Sequence, residues 1–293
     1  MNIKKQLSKF DTKLRRLRWY SPFWCFVATP FLVVKHVNAR RKYINSGAPN
    51  KLKSLRNTQT DKRCFIIGNG PSLTTSDLEL LQGEVCFAAN SIYQIFDKTS
   101  WRPNYYLCVD GNFAHDAERI KGLGRCTKFL HASTIRISDA ELSEYNVVPI
   151  INEPKFFRTL NSIVNYKYHT NIPKEFPFTI TVTVNSALLA MSMGFSEIYL
   201  LGVDFSYKTA IDRNGNIVVD NAIKSHFEGV DTQRGDIAVF PVDATRACYE
   251  ELKRFSEDNN VKIVNCTRGG KLEVFQREDL ENVLSERNTA WTE

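Results

Sequence analysis

Several familiar signatures of function are missing from this chain of 293 residues. It has no Gly-x-x-x-x-Gly-Lys-Ser/Thr loop for nucleoside triphosphates and no Gly-x-Gly-x-x-Gly dinucleotide fingerprint. Its seven cysteines are scattered and never form a Cys-x-x-Cys pair. An odd, unclustered set of cysteines is typical of reduced thiols in the cytosol and disfavours a disulfide framework or a zinc site.

Acidic residues are almost absent from the first part of the chain. Residues 1–56 contain fourteen Lys or Arg and a single acid, Asp11, for a net charge of +13. Since the whole chain carries +7, residues 57–293 carry −6. The basic charge therefore belongs to an N-terminal arm, which disfavours a nucleic-acid surface on the body and favours an anionic membrane surface as the partner of the arm.

A membrane-spanning helix needs a run of about 20 apolar residues, and the arm has none. Its aromatic and apolar segment, residues 19–34, is shorter and is interrupted by Pro22 and Pro30. Aromatic side chains of this kind settle among lipid headgroups, so we expect an anchor that lies in the membrane interface. Packing of the arm on the body or on a partner subunit, and a true membrane span, are the alternatives. No small-residue cleavage site follows the segment, which disfavours a signal peptide.

Residues 45–60 are polar and rich in helix breakers, which predicts a linker. We therefore divide the chain into an arm and linker at residues 1–56 and an α/β catalytic body at residues 57–293. Short apolar runs that end in polar or Gly-rich tips alternate with helical patterns through the body. This alternation predicts a mostly parallel sheet flanked by helices. Residues 134–180, which contain four prolines, are expected to form an irregular lid, and residues 207–240 an irregular polar stretch.

The most informative stretch of the body is Phe65–Leu73, a short apolar run that breaks into Gly-Asn-Gly-Pro-Ser. It predicts a buried strand that ends in a tight turn. Gly68 and Gly70 permit positive φ and close approach of a ligand to the backbone, while Asn69 and Ser72 add small polar groups. In open α/β sheets, nucleotides and phosphorylated ligands bind at such a turn. A plain tight turn is the other interpretation.

Five predicted strands end in polar or Gly-rich tips, at Asn69/Gly70, Asn90, Asp110, Asp204 and residues 267–270. The carboxyl ends of parallel strands meet at one edge of a sheet, so these tips predict one active-site crevice.

The sequence resembles the bacterial family 42 sialyltransferases and the MptE-like domains related to them. The residues that carry the resemblance are Ile67–Leu73, Ala89-Asn90, Gly194–Phe205 and Ser225–Phe227, within a match over most of residues 63–275. The resemblance implies a metal-independent GT-A-like, Rossmann-type fold that holds a CMP-sugar donor and needs no cofactor. It covers the body alone.

The resemblance also implies the roles of single residues. Asn69 and Gly70 correspond to the loop that meets the donor phosphate and ribose, and Asn90 to an Asn that contacts the nucleotide sugar. Thr181 corresponds to a Thr of the donor pocket. Tyr207 adjoins the position where the family has a Tyr beside the leaving phosphate. Together with Gly68, Ser72 and Asp204, these residues form the predicted donor site.

The general base departs from the family pattern. The run Ser225-His226-Phe227 resembles the segment just before the family's base, but the base position itself is Val230. We therefore predict His226 as the base, with Asp110 as the rival, because a histidine titrates near neutral pH.

The resulting prediction is a membrane-peripheral glycosyltransferase on the cytoplasmic side of the inner membrane. It would transfer a CMP-activated sugar, such as sialic acid, to a bacterial surface glycan that is lipid-linked. One alternative is a Mg²⁺-dependent pyrophosphokinase of the MptE kind, with Asp110 and Asp204 holding the metal. The other is a non-catalytic scaffold that binds nucleotide sugars. The sequence does not fix the oligomeric state.

Overall fold

The computed structural model describes residues 22–109, 117–153, 167–177, 179–207, 209–211, 217–219, 222 and 240–289. An eight-stranded sheet forms the centre of the body, and every neighbouring pair of its strands is parallel. Its strands are β1 (Arg63–Ile67), β2 (Cys86–Ala89), β3 (Tyr105–Cys108), β4 (Thr127–His131), β5 (Val147–Ile150), β6 (Glu197–Leu201), β10 (Lys262–Asn265) and β11 (Gln276–Arg277). This arrangement confirms the predicted α/β class.

Eight α-helices are described. They are α1 (Pro22–Asn45), α2 (Ala48–Leu55), α3 (Thr75–Leu80), α4 (Ala117–Gly122), α5 (Asp139–Glu144), α6 (Val182–Met193), α7 (Val242–Asp258) and α8 (Leu280–Thr289). A 3₁₀ helix spans Asn90–Lys98. Successive residues of a strand point to opposite faces of the sheet, so a strand that is apolar throughout must be covered on both faces. The helices provide this cover. In β1, Cys64 and Ile66 belong to one buried cluster, and Phe65 and Ile67 to the other.

The strand order determines where a ligand can bind. The order is β11-β10-β6-β1-β2-β3-β4-β5, so the chain builds outward from β1 to β5 and then returns to place β6 on the other side of β1. The direction of winding therefore reverses between β1 and β6. In open α/β sheets, the crevice for ligands lies at the carboxyl ends of the strands at such a reversal.

Two stretches differ from the prediction made from their composition. Residues 134–180 contain α5 and β5. The prolines disfavoured a strand here, but β5 is an edge strand, where a proline such as Pro149 is tolerated because its missing N–H is not needed by a further neighbour. The predicted linker contains α2, whose Ala48 and Leu52 are buried against the body.

A second, three-stranded sheet is inserted in the chain between β6 and β10 of the central sheet. It consists of β7 (Thr209–Ile211), β8 (Ile217–Val219) and β9 (Phe240–Pro241), in the order β8-β7-β9. Short strands therefore occupy part of the stretch predicted to be irregular.

Helix α1 contains most of the aromatic and apolar segment of the arm. Within the described residues, no helix has the length and apolar character needed to cross a membrane. Six cysteines have described side chains, and all six are buried and form no disulfide with one another: Cys64, Cys86, Cys108, Cys126, Cys248 and Cys266.

Candidate functional site

Two turns meet at the reversal between β1 and β6. The first follows β1 and contains residues 68–72, and the second follows β6 and contains residues 202–204. The N–H of Gly68 donates to the carbonyl of Leu201, and the N–H of Gly70 donates to the carbonyl of Gly202, both at 2.8 Å. The two strand tips are thereby joined into one rigid unit at the predicted crevice.

Glycine is required in the first turn because the second turn lies so close. A Cβ added at Gly68 would lie 2.3 Å from the Gly202 carbonyl oxygen, and one at Gly70 would lie 1.8 Å from Asp204 Oδ2. Neither Gly68 nor Gly70 adopts positive φ, whereas Gly202 does, at +66°. The prediction that Gly68 and Gly70 provide positive φ is therefore wrong. Glycine is needed at these positions because the second turn packs directly against their Cα atoms.

A buried carboxylate fastens the two turns together. Asp204 Oδ2 accepts a hydrogen bond from Ser72 Oγ at 2.7 Å, and Oδ1 accepts one from the Ser72 N–H at 3.2 Å. Asp204 is only 6% exposed. Burial raises the pKa of its carboxyl group above the ordinary value, and the two bonds from Ser72 oppose that rise. Asp204 and Ser72, both predicted to bind the donor, are in direct contact with each other.

Most N–H groups of the first turn donate hydrogen bonds within the protein. The N–H groups of Gly68, Gly70 and Ser72 donate to the last residue of β6 and to the turn that follows it, and the N–H of Leu73 donates to the Gly70 carbonyl. A phosphate cradle needs N–H groups that are free to face the ligand. The turn is therefore held by the protein, and its contribution to binding comes from side chains.

Two asparagines at adjacent strand tips supply such side chains. Asn69 Nδ2 donates to the Ala89 carbonyl at 3.0 Å, which fixes the orientation of the amide. Asn69 Oδ1 and Asn90 Oδ1 are buried, and neither oxygen has a hydrogen-bond donor within the part of the chain that is described. Buried acceptors are nearly always satisfied in folded proteins. Two unsatisfied acceptors on neighbouring tips therefore suit a ligand that brings O–H or N–H donors.

Asn90 also has an unusual backbone conformation. Its φ is +51°, in the left-handed region that asparagine tolerates better than most residues. Its carbonyl oxygen accepts a hydrogen bond from the hydroxyl of Tyr106 at 2.7 Å. Backbone strain of this kind persists where the surrounding structure enforces it and is common at ligand sites.

A second strained residue lies directly after Asp204. Phe205 has φ of +54°, and its ring packs edge-on against the rings of Tyr207 and Tyr249, with centroids 5.5 and 6.0 Å away. Desolvation raises the pKa of the Tyr207 phenol well above its ordinary value. Thr181 caps helix α6 by accepting from the Thr183 N–H, and its hydroxyl lies 3.5 Å from that of Tyr249. The aromatic cluster thus links the predicted residues Thr181 and Tyr207 to the Asp204 turn.

The two predicted bases, Asp110 and His226, lie outside the described residues, as does Val230. Their roles remain predictions. Among the residues that are described, no group of three or more His, Cys, Asp or Glu side chains is arranged to hold a metal ion.

Other polar residues of this edge were not predicted from the sequence. Thr267 Oγ1 accepts from the Val203 N–H at 3.0 Å and ties β10 to the second turn. Arg268 pairs with Asp77, the N3 residue of the capping box that begins α3. Asn185 is 1% exposed, and its Nδ2 has no acceptor among the residues described. The sequence offered one indication that Asn185 is functional: it is a polar residue within the apolar pattern of α6.

Comparisons with known proteins give one family. The family model described as "6-hydroxymethylpterin diphosphokinase MptE-like" matches residues 38–210, more than half of the chain. This match includes the two turns and both asparagines, and it confirms the predicted resemblance to MptE-like domains. No curated protein sequence matches the chain.

Among solved structures, the Maf glycosyltransferase from Magnetospirillum magneticum AMB-1 is similar, with 16% sequence identity and a TM-score of 0.48. The superposition covers 80% of this chain and 38% of that protein, so this chain spans well under two thirds of its length.

Proposed function

This chain belongs to the MptE-like family, and on that premise we propose that it is a transferase that binds a nucleotide across the carboxyl ends of β1, β2 and β6. The observation that carries the proposal is the pair of buried amide oxygens, Asn69 Oδ1 and Asn90 Oδ1, which lack donors among the described residues. Asn69 lies at the tip of β1, where the winding of the sheet reverses, and Asn90 lies at the adjacent tip of β2. The ribose hydroxyls and the amino group of a nucleobase are donors that would satisfy them.

The donor phosphate is expected beside helix α6. Since most N–H groups of the first turn are engaged within the protein, the phosphate needs another source of positive potential. The N-terminus of α6 begins at the same edge of the sheet, with the hydroxyls of Thr181 and Thr183 in its first turn. The partial positive charge of a helix N-terminus favours anions, and this end would face the phosphate or a carboxylate of the donor sugar.

The reaction that we favour is transfer of a sugar from a CMP-activated donor. The oxygen of an acceptor hydroxyl attacks the anomeric carbon, and the bond from that carbon to the phosphate oxygen breaks. His226, with Asp110 as the alternative, would remove the proton from the acceptor. The Tyr207 phenol is protonated at neutral pH, as any tyrosine with an ordinary or raised pKa is, and it would donate a hydrogen bond to the leaving phosphate. No metal is needed for these steps.

The family description supports a second candidate, a diphosphokinase. That reaction transfers a diphosphate from a nucleoside triphosphate and uses Mg²⁺ to neutralise the phosphates. Asp204 and Asp110 are the carboxylates proposed to hold the metal. Against this, both oxygens of Asp204 already accept hydrogen bonds from Ser72, and the side chain is almost fully buried.

The acceptor we propose is a lipid-linked glycan at the cytoplasmic face of the inner membrane. The basic arm supports this location, because an enzyme that acts on a lipid-linked substrate gains from being held at the surface.

Product analysis separates the two reactions. The purified full-length chain is incubated with CMP-sialic acid in EDTA, and in parallel with ATP, Mg²⁺ and a hydroxymethylpterin. We expect release of CMP in EDTA, faster with a glycan acceptor than without one, and no AMP from the second mixture. Release of AMP that depends on Mg²⁺ and on the pterin, with no release of CMP, would show that the protein transfers diphosphate and would contradict sugar transfer.

A further inference from the structure

Helix α1 exposes several large apolar side chains on one face. Phe31 is 80% exposed and Phe26 67% exposed, and the exposed valines and isoleucine of the helix extend this surface. The members of the face are Phe23, Phe26, Val33, Val34, Val37 and Ile44, with Phe31 at its margin. The first six are related by spacings of three, four or seven residues and therefore share one side of the helix. A group of large apolar side chains exposed on one face is typical of an interaction site.

The other side of α1 is fastened to the body near its C-terminal end. The hydroxyl of Tyr43 donates to the Pro173 carbonyl at 2.5 Å, and Lys42 Nζ donates to the Ile135 carbonyl at 3.0 Å. Arg40 forms an ion pair with Glu175. Ile135 follows β4, and residues 173–175 precede Phe176, which bridges to Asn152 just after β5. Helix α1 is thus attached at the carboxyl edge of the sheet, the edge that contains the two asparagines.

The positive charge around the apolar face of α1 indicates which kind of partner can bind there. Lys35 and Arg41 are exposed on α1 itself. Residues 1–21 add seven Lys or Arg and one acid in the sequence just before the helix. Two copies of this chain joined through α1 would bring these like charges together, which is unfavourable. A bilayer with anionic lipids attracts them and offers an apolar layer for the phenylalanines.

We propose that the exposed face of α1 docks on an anionic lipid bilayer and holds the carboxyl edge of the sheet toward the membrane surface. The helix lies in the interface, with Phe26 and Phe31 at the boundary between headgroups and acyl chains. This inference rests on α1 and its contacts, and it is independent of the reaction at the crevice.

Vesicle sedimentation of the full-length chain tests the docking. We expect binding to vesicles of phosphatidylcholine and phosphatidylglycerol in equal parts, weaker binding to phosphatidylcholine alone, and weakening by salt. The double change Phe26→Ser/Phe31→Ser should reduce the partition coefficient by at least about tenfold, because burying even one Phe side chain is worth about that factor. Leu80→Ser is the matched control, since Leu80 is 48% exposed on α3 and far from the proposed surface in sequence.

Circular dichroism of each variant verifies that the fold is retained. Equal loss of binding in the Leu80 control and in the double variant would overturn the proposal, and so would an absence of vesicle binding. A dimer in solution that the double variant converts to a monomer, together with no vesicle binding, would identify the face as a contact between copies.

A matched pair of labels tests the orientation. Arg125 precedes β4 and Arg136 follows it, and both are exposed. A fluorophore at Arg136→Cys should be quenched more by headgroup-labelled lipid than one at Arg125→Cys, since Arg136 lies at the carboxyl edge. Stronger quenching at the amino edge would contradict the proposed orientation.

Discussion

Gly70 and Asp204 are packed so closely that a single added methyl group would overlap the carboxylate: the Cβ of an alanine at position 70 would lie 1.8 Å from Asp204 Oδ2. The contact joins the turn after β1 to the turn after β6. Any change that moves one turn must therefore move the other.

The first prediction concerns Gly70→Ala. The turn must shift or Asp204 must leave Ser72, so we expect the free energy of unfolding to fall by about 1–3 kcal/mol, the usual cost of overpacking. Gly122→Ala is the control, because nothing lies within 4 Å of a Cβ at Gly122 and its φ is not in the left-handed region. Urea unfolding of both variants measures the difference. Equal stability of the two variants would show that the turns can separate freely.

The second prediction concerns the pH dependence of stability. Burial raises the pKa of Asp204 in the folded state, so on increasing pH the unfolded chain loses this proton first. The contribution of Asp204 is therefore most favourable below the ordinary aspartate pKa of about 3.9 and declines as pH rises through its folded-state pKa. Asp204→Asn removes this decline. The free energy of unfolding of the variant, relative to wild type, should rise with pH across that interval and then level off. A flat or falling difference in urea unfolding would contradict the assignment.

The third prediction concerns the stability of Asn90→Gly. Glycine adopts positive φ without strain, and its introduction removes a buried oxygen that has no donor among the described residues. The gain from removing an unsatisfied acceptor is about 1–3 kcal/mol, and the extra flexibility of glycine in the unfolded chain opposes it by about 0.5–1 kcal/mol. We expect Asn90→Gly to be at least as stable as wild type. Asn260→Gly is the control: Asn260 is exposed and has φ of +55°, so this change measures only the effect of glycine on the backbone.

If Asn90→Gly unfolds at clearly lower urea concentration than Asn260→Gly, the Asn90 side chain has a structural partner. A role in ligand binding would then lose its main support.

The fourth prediction concerns a buried lysine away from the site. Lys128 is 1% exposed, and its ammonium group donates to three carbonyls, those of Gly124, Cys126 and Tyr145, at 2.7–2.9 Å. Lys128→Met leaves these acceptors without their donor, which should lower the free energy of unfolding by at least about 2 kcal/mol. Exposed Lys253→Met on α7 is the control. The catalytic rate of any Lys128→Met protein that folds should be unchanged. Lys128 is distant in sequence from the residues of the crevice, and its hydrogen bonds stabilise the turn before β4.

Local sequence predicted much of the sheet. Short apolar runs bounded by turn residues identified β1, β2, β3, β6 and β10 to within a few residues, because a strand buried on both faces needs little else. The edge strand β5 was missed because Pro149 disfavours a strand unless the neighbours of that strand are known. Helix α2 was missed because its stabilisation comes from burial of Ala48 and Leu52 against the body.

The site was predictable as a location and not as a set of contacts. Polar strand tips indicate the carboxyl edge from sequence alone. The contact between Ser72 and Asp204 joins residues far apart in the chain, and it follows from the return of the chain to place β6 beside β1. The Asn69 and Asn90 side-chain oxygens, which have no donor among the described residues, depend in turn on that packing, since only a folded protein removes water from them.

Titration calorimetry with CMP tests the central claim most directly. Wild type, Asn90→Gly and the Asn260→Gly control are titrated in EDTA. We predict that CMP binds to wild type and to Asn260→Gly with the same affinity, and binds at least about tenfold more weakly to Asn90→Gly, because one ligand hydrogen bond to a buried acceptor is lost. Equal CMP affinity in all three proteins, or no CMP binding to wild type alongside binding of ATP with Mg²⁺, would contradict the account.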